Sequence, residues 1–329
     1  MNSNQGLLSS GLGMVMRNKR YIFWFWLLNL TLAEFGTAAF RRSAHAILDH
    51  SFLSDKLMHS FDIGVIVGLL QRPEFGQTDS MTTPAFFFGF LFFLFTAIFL
   101  PGVLAGYAST YRLPREDFFR ACGRNLWRFI RIMIVAGIVM GIFAAALIAL
   151  NGAIVKKATE STNEVLPFEL RMIGFTVIFL IMTTLRIWFD LAETDTVLND
   201  QRAVRKSIGS AFRHTFRSLG RLLTAYVAST LVAVAFLLAG LSIWMNLVRP
   251  GSIIGAFVIG QITLFLLLIP RFWQRGIAVS YWQQHMLVPV AAVQKAEAMP
   301  VAEPPAPVAP GPEPVTVVSA LPSPSQETH

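Results

Sequence analysis

Residues 132–155, IMIVAGIVMGIFAAALIALNGAIV, run for 24 positions without a Lys, Arg, Asp or Glu, between Arg131 and Lys156-Lys157. A helix rises about 1.5 Å per residue, so crossing a hydrocarbon core of about 30 Å takes about 20 apolar residues. The stretch reads as a transmembrane helix. On either side of it, residues 80–111, 222–248 and 250–270 are equally free of charge. Two further apolar runs are interrupted, 21–40 by Glu34 and 170–191 by Arg171, Arg186 and Asp190. The expected fold is all-α, an integral membrane bundle of six transmembrane helices at about 21–40, 85–107, 132–153, 170–191, 222–247 and 252–270.

Composition agrees. Of 329 residues, 54% are hydrophobic and only 14% charged, against about 25% charged in an ordinary soluble domain. That excludes a soluble enzyme, a disordered chain and a soluble nucleic-acid binder, and no nucleic-acid partner is expected. A net charge of +8 then has a topological explanation, because cytoplasmic loops collect Lys and Arg. Segments on the side of the N-terminus hold 18 basic residues and the opposite side 8, which predicts both termini in the cytoplasm. The expected location is a bacterial inner membrane. Ala44-His45-Ala46 resembles a cleavage site, but the apolar run before it exceeds a signal h-region and is followed by Arg41-Arg42, so it reads as a retained anchor. The single cysteine, Cys122, has no internal partner and falls on the predicted cytoplasmic side.

Outside the spans, residues 1–20 form a cytoplasmic segment and 41–84 an outer loop. Within that loop a short apolar stretch from Leu57 to Leu70 reads as a helix lying on or re-entering the membrane face, and Gly64-x3-Gly68 would let it pack closely. Two cytoplasmic segments share a pattern of basic amphipathic interfacial helix leading into a span. In the first, Phe118, Cys122, Leu126, Phe129 and Met133 make the apolar stripe, with Arg120, Arg124, Arg128 and Arg131 on another face. In the second, Ile208, Phe212, Phe216 and Leu219 make the stripe beside Arg213, Arg217 and Arg221. With the N-terminal segment these suggest three units of interfacial helix plus hairpin; any basic entry helix would look similar. Ten of the 17 prolines fall in 289–329, so residues 288–329 read as a disordered, partly polyproline-II cytoplasmic tail, an unstructured terminus or a partner-binding one.

Charges inside spans are costly and are the default candidates for function. Glu34, about one turn from Asn29, is a proton or cation site, or a carboxyl that joins helices. Arg186 and Asp190, four apart, share a helix face and can pair. Gln261, mid-span, reads as an interhelical hydrogen bonder or a substrate contact. Asn29, Glu34, Arg186, Asp190 and Gln261 are together the candidate intramembrane polar site. His45, His50 and His59 stand near Asp49, Asp55 and Asp62 at spacings that match no metal-ligand pattern, so no metal is expected. Gly137-x3-Gly141 offers a small-residue packing face, Pro101-Gly102 a kink, and Trp273, Tyr281 and Trp282 an interfacial aromatic belt. Zinc-hydrolase, nucleophile-elbow, P-loop and dinucleotide motifs are missing, so neither catalytic residues nor a cofactor are expected.

The basic residues are biased, 21 Arg to 6 Lys, and guanidinium groups recognise phosphate bidentately. Arg120, Arg124, Arg128, Arg131, Arg213, Arg217 and Arg221 are therefore candidate contacts to anionic lipid; base composition with the positive-inside rule is the plainer explanation.

Several stretches resemble a family of uncharacterised bacterial six-helix inner-membrane proteins. They are Ser51-Phe52-Leu53-Ser54 through Ser60-Phe61-Asp62, Phe99-Leu100-Pro101-Gly102-Val103-Leu104-Ala105, and Phe119-Arg120-Ala121-Cys122-Gly123-Arg124 with Trp127-Arg128. Asp190, Asn199-Asp200, Arg202, Val204-Arg205 and Ala211-Phe212-Arg213 to Arg217 complete them. The resemblance covers about residues 10 to 285, implies the same topology, and carries over no catalytic, cofactor or substrate residue. The function expected is that of a non-enzymatic membrane protein that organises or binds anionic lipid or a membrane partner, including a second copy of itself. The alternative is a transporter or permease with its polar site around Glu34.

Overall fold

The computed structural model describes residues 6–37, 79–160, 165–200, 203–249 and 252–287. Among them the chain is all-helical: α1 Leu7–Arg17, α2 Arg20–Gly36, α3 Asp79–Ala108, α4 Arg115–Ala158, α5 Leu166–Leu198, α6 Val204–Arg217, α7 Leu219–Leu247 and α8 Ile253–His285. Five of these, α3, α4, α5, α7 and α8, are long and apolar enough to cross a membrane. The 17 residues of α2 rise only about 26 Å, and the last positions of the run 21–40 lie outside the described residues. The apolar stretch of the outer loop, its three histidines, the Ala44-His45-Ala46 site and the proline-rich tail also lie outside them.

Local sequence explains where helices continue and where they stop. α4 starts after Pro114 with Glu116 and Asp117 in its first turn and ends with Lys156 and Lys157 in its last, charges that suit each end of the helix dipole. Nothing between interrupts it, so the basic amphipathic segment and the apolar run are one rod of 44 residues. The other two entry helices are separate from the spans they lead into. α1 ends at Asn18, whose side chain turns back to donate to Met14 O at 3.1 Å. α6 ends at Ser218, whose hydroxyl instead accepts from Tyr281 at 2.9 Å. The three expected units thus differ in construction.

α4 packs against α3 and α5, α7 against α8, and α8 also against α1, α5, α2 and α3, while α6 lies on α5. The core gathers at one end of the bundle. There α1, α6 and the last turns of α3, α5 and α8 meet the first turns of α4 and α7, burying Tyr107, Tyr226, Tyr281, Phe129, Leu104 and Ile277. At the opposite end apolar side chains stand exposed, among them Ile142 and Leu150 on α4, Ile173 and Phe175 on α5, Leu238 and Leu241 on α7, and Phe257 on α8. Such an arrangement would be insoluble in water and costs nothing in lipid, where hydrocarbon surrounds the flanks. Toward this end Asn151 lies against Gly174, and Thr263 against Gly240.

Two glycines bring backbones together at the packed end. A Cβ at Gly276 would fall 2.6 Å from the Gly11 carbonyl oxygen, so α1 crosses α8 in direct main-chain contact. Gly102 likewise admits α4, since a Cβ there would fall 2.6 Å from Cys122 Sγ. Gly102 thus serves close approach, within a helix that runs on to Ala108.

Several expectations are corrected. Gly137 and Gly141 meet nothing within 4 Å, so the small-residue face of α4 is turned away from the rest of the described chain. Pro270 sits inside α8, which continues to His285, and α5 continues to Leu198, well past position 191. Trp273, Tyr281 and Trp282 form no exposed belt; Tyr281 and Trp282 are buried, and Trp273 donates to Leu8 O at 2.9 Å, tying α8 to α1. The buried stripe of α6 is Ser207, Ala211 and Thr215, while Phe212 and Phe216 are 46% and 52% exposed. Small side chains let α6 lie close on α5, which turns the phenylalanines outward. The stripe of α4 is as expected, with Cys122 and Phe129 buried.

Candidate functional site

The last three turns of α5 carry the polar centre of the molecule. Asp190, Glu193 and Asp195 are all buried there, as is every residue from Phe189 to Val197. A carboxylate in such surroundings requires a partner. Asp190 takes Arg186 at 3.8 Å, one helical turn back, and accepts a hydrogen bond from the Tyr226 hydroxyl of α7 at 3.0 Å. Glu193 takes Arg275 of α8 at 2.8 Å, with side-chain exposures of 7% and 12%. Asp195 accepts from Asn199 at 2.6 Å and from the Trp282 indole at 3.2 Å. Beside Arg275, Gln274 donates to Thr230 of α7 at 3.0 Å. The cluster therefore ties α5, α7 and α8 together through two ion pairs and the hydrogen bonds around them.

Of the candidate intramembrane polar residues, the structure brings together Arg186 and Asp190. Asn29 and Gln261 are half-buried on α2 and α8 and make no hydrogen bond among the described residues, and Glu34 is exposed on α2. Glu193, Asp195, Tyr226, Gln274, Arg275 and Trp282 are members of the site that sequence reasoning misses. A signal for them exists: no Gly or Pro stands between 191 and 198, so the helix has no reason to stop, and Glu193 lies three residues after Asp190 on a neighbouring position of the same face.

The two sets of candidate arginines differ in their electrostatics. On α4, Arg120 pairs with Glu116 at 3.1 Å and Asp117 at 3.8 Å. Arg128 reaches Asp200 at 2.5 Å, and Arg124 approaches the same carboxylate at 3.9 Å. Asp200 itself has φ 49°, a left-handed conformation just past the end of α5 that Asp tolerates, and its carbonyl also accepts from Arg128. Arg131 stacks its guanidinium 5.1 Å from the Trp127 ring. On α6 and the start of α7, Arg213, Arg217 and Arg221 are exposed, and no carboxylate of a described residue lies within 4 Å of any of them. Beside them Phe212 and Phe216 pair at 4.5 Å between ring centroids, and Phe212 also meets Trp188 at 5.1 Å. His214, on the same helix, is held below its ordinary value by burial and by Arg217.

Two cavities lie at the packed end. One, about 320 Å³, opens between α1, α3 and α8 and is lined by Ser9, Ser10, Arg17, Ser109 and Gln283 among others. Arg17 is already engaged there, donating to Ser109 O at 2.7 Å and so capping the carbonyl end of α3. The other, of about 10 Å³, is a cleft between α2, α3 and α8 holding Arg271 and Arg275. Neither is lined by Asn29, Glu34 or Gln261. Among the described residues no group of His, Cys, Asp and Glu could hold a metal ion.

Comparison with protein-family models, with curated proteins and with solved structures finds no match to this chain. Its class rests on its own architecture: an all-helical chain with five helices long and apolar enough to cross a membrane, consistent with a multi-pass membrane protein.

Proposed function

We propose that this chain is a non-enzymatic bacterial inner-membrane protein with six spans and cytoplasmic termini, and that it binds anionic lipid through the exposed face of α6 and the start of α7. α2 is the sixth span in this reading. One observation carries the lipid assignment: Arg213, Arg217 and Arg221 have no carboxylate partner among the described residues and stand beside two exposed phenylalanines. Aromatic rings that enter the acyl boundary next to cations at headgroup level are the chemistry of an interfacial helix. The arginines of α4 are weaker candidates, since three of the four face carboxylates of their own chain.

Each basic residue near an anionic surface contributes about 1 kcal/mol, so the triple variant Arg213→Gln, Arg217→Gln, Arg221→Gln should bind anionic lipid up to roughly 100-fold more weakly. The measurement is native mass spectrometry of the full chain titrated with phosphatidylglycerol. Arg120→Gln, Arg124→Gln and Arg128→Gln together should have a smaller effect. Equal lipid retention in the α6 triple variant and the unaltered protein would refute the assignment.

A further inference from the structure

Of the cations around Asp190 and Glu193, Arg271 stands outside the ion pairs. Three guanidinium groups, Arg186, Arg271 and Arg275, act on two carboxylates, and each carboxylate is already engaged, Asp190 by Arg186 and Tyr226 and Glu193 by Arg275. Asp195 is taken by Asn199 and Trp282. Arg271 is left with the face of Phe92, 5.6 Å from its guanidinium carbon, and no carboxylate of a described residue within 4 Å. Its side chain is exposed, so the guanidinium is open to an anion from outside the bundle.

The surroundings say which anion fits. Arg271 stands at the mouth of the cleft formed by Phe25, Phe92, Thr96, Leu268 and Phe272, one turn before Arg275, just past the apolar half of α8. The free space within the cleft, about 10 Å³, is at the lower limit for one oxygen-sized group, and the cleft is open to the outside. Toward the splayed end the same face of α8 presents Leu264, two turns away and 54% exposed. A ligand that matches puts one anionic oxygen at the mouth and hydrocarbon along the open apolar flank. We infer that the cleft between α2, α3 and α8 is a phospholipid site, with Arg271 holding the phosphodiester of an anionic lipid whose acyl chain runs over Leu264. This site is separate from the α6 surface and uses none of its residues; it rests on the membrane reading alone.

The test is delipidation of the full chain in detergent followed by titration with phosphatidylglycerol, phosphatidylcholine or inorganic phosphate, read by native mass spectrometry. The unaltered protein should keep one phosphatidylglycerol through delipidation, at least tenfold tighter than phosphatidylcholine, and inorganic phosphate should not displace it. Arg271→Gln should weaken that one lipid about tenfold, the loss of one charge-assisted contact, and Arg271→Lys should keep most of it. The α6 triple variant should keep this lipid while losing weaker ones, so the two assignments fail independently. Undiminished binding in Arg271→Gln overturns the inference, as does displacement by inorganic phosphate. Equal affinity for the two lipids in the unaltered protein overturns it even if Arg271→Gln fails to fold.

Discussion

Replacing Glu193 with Gln removes one charge from an ion pair whose partners are 2.8 Å apart and exposed by only 7% and 12%. Arg275 then stays buried without its ion-pair partner, with Asp190 the nearest remaining acidic influence on it. Breaking a buried pair from one side costs about 3–5 kcal/mol, because the remaining ion keeps its desolvation penalty. For a chain of this size roughly 2–4 °C of melting temperature accompany each kcal/mol, so Glu193→Gln should melt roughly 6–20 °C lower. The protein supplies its own probe. Cys122 is the sole cysteine, 3% exposed and packed against α3, so a thiol-reactive fluorogenic dye reports its release on heating. The double variant Glu193→Gln, Arg275→Met should recover part of the loss, since removing both charges also removes the unpaired one. Glu116→Gln serves as control; its pair with Arg120 is exposed to solvent on both sides and should shift melting by no more than about 2 °C. A Glu193→Gln protein melting with the unaltered one would refute the reasoning, as would single losses that simply add in the double variant.

The packing and the charges lead to two more expected outcomes. Gly276→Ala should destabilise by about 1–3 kcal/mol, since its Cβ would meet the Gly11 carbonyl at 2.6 Å, while Gly137→Ala, with open space around it, should leave the melting of the monomeric protein unchanged; the dye assay distinguishes them. His214 is held below its ordinary value by burial and by Arg217, so the unfolded chain takes up a proton first as pH falls. Its contribution is thus present above the unfolded value of 6.5 and is lost as pH falls from there through the lower folded value; melting measured from pH 7.5 to 5.5 should decline more steeply in the unaltered protein than in His214→Gln.

What the chain declares residue by residue and what folding adds divide along a physical line. The five long apolar helices are readable from composition alone, because a run such as 132–155 has no charge to place in hydrocarbon and no Gly-Pro punctuation strong enough to end a helix. The buried stripe of α4 is readable too, as Cys122 and Phe129 recur at helical spacing. The same reasoning misplaces the stripe of α6. There Phe212 and Phe216 look like core, yet close packing on α5 selects Ser207, Ala211 and Thr215. A hydrophobic pattern identifies which residues leave water, and in a membrane protein they leave it equally well into protein or into lipid.

The polar centre shows the same limit. Arg186 and Asp190 are legible because four residues on one helix are neighbours by geometry. Glu193 and Arg275 are 82 positions apart, on helices whose contact no local pattern encodes. Arg275 in the sequence is one more basic residue; in the fold it is the partner of Glu193, and Arg271 one turn before it is the cation outside the pairs. Composition and periodicity are enough to establish a helical chain built for an apolar solvent. Which charges neutralise one another, and which are left to bind something else, is settled when α5, α7 and α8 come together, because pairing depends on distances that tertiary contact alone creates.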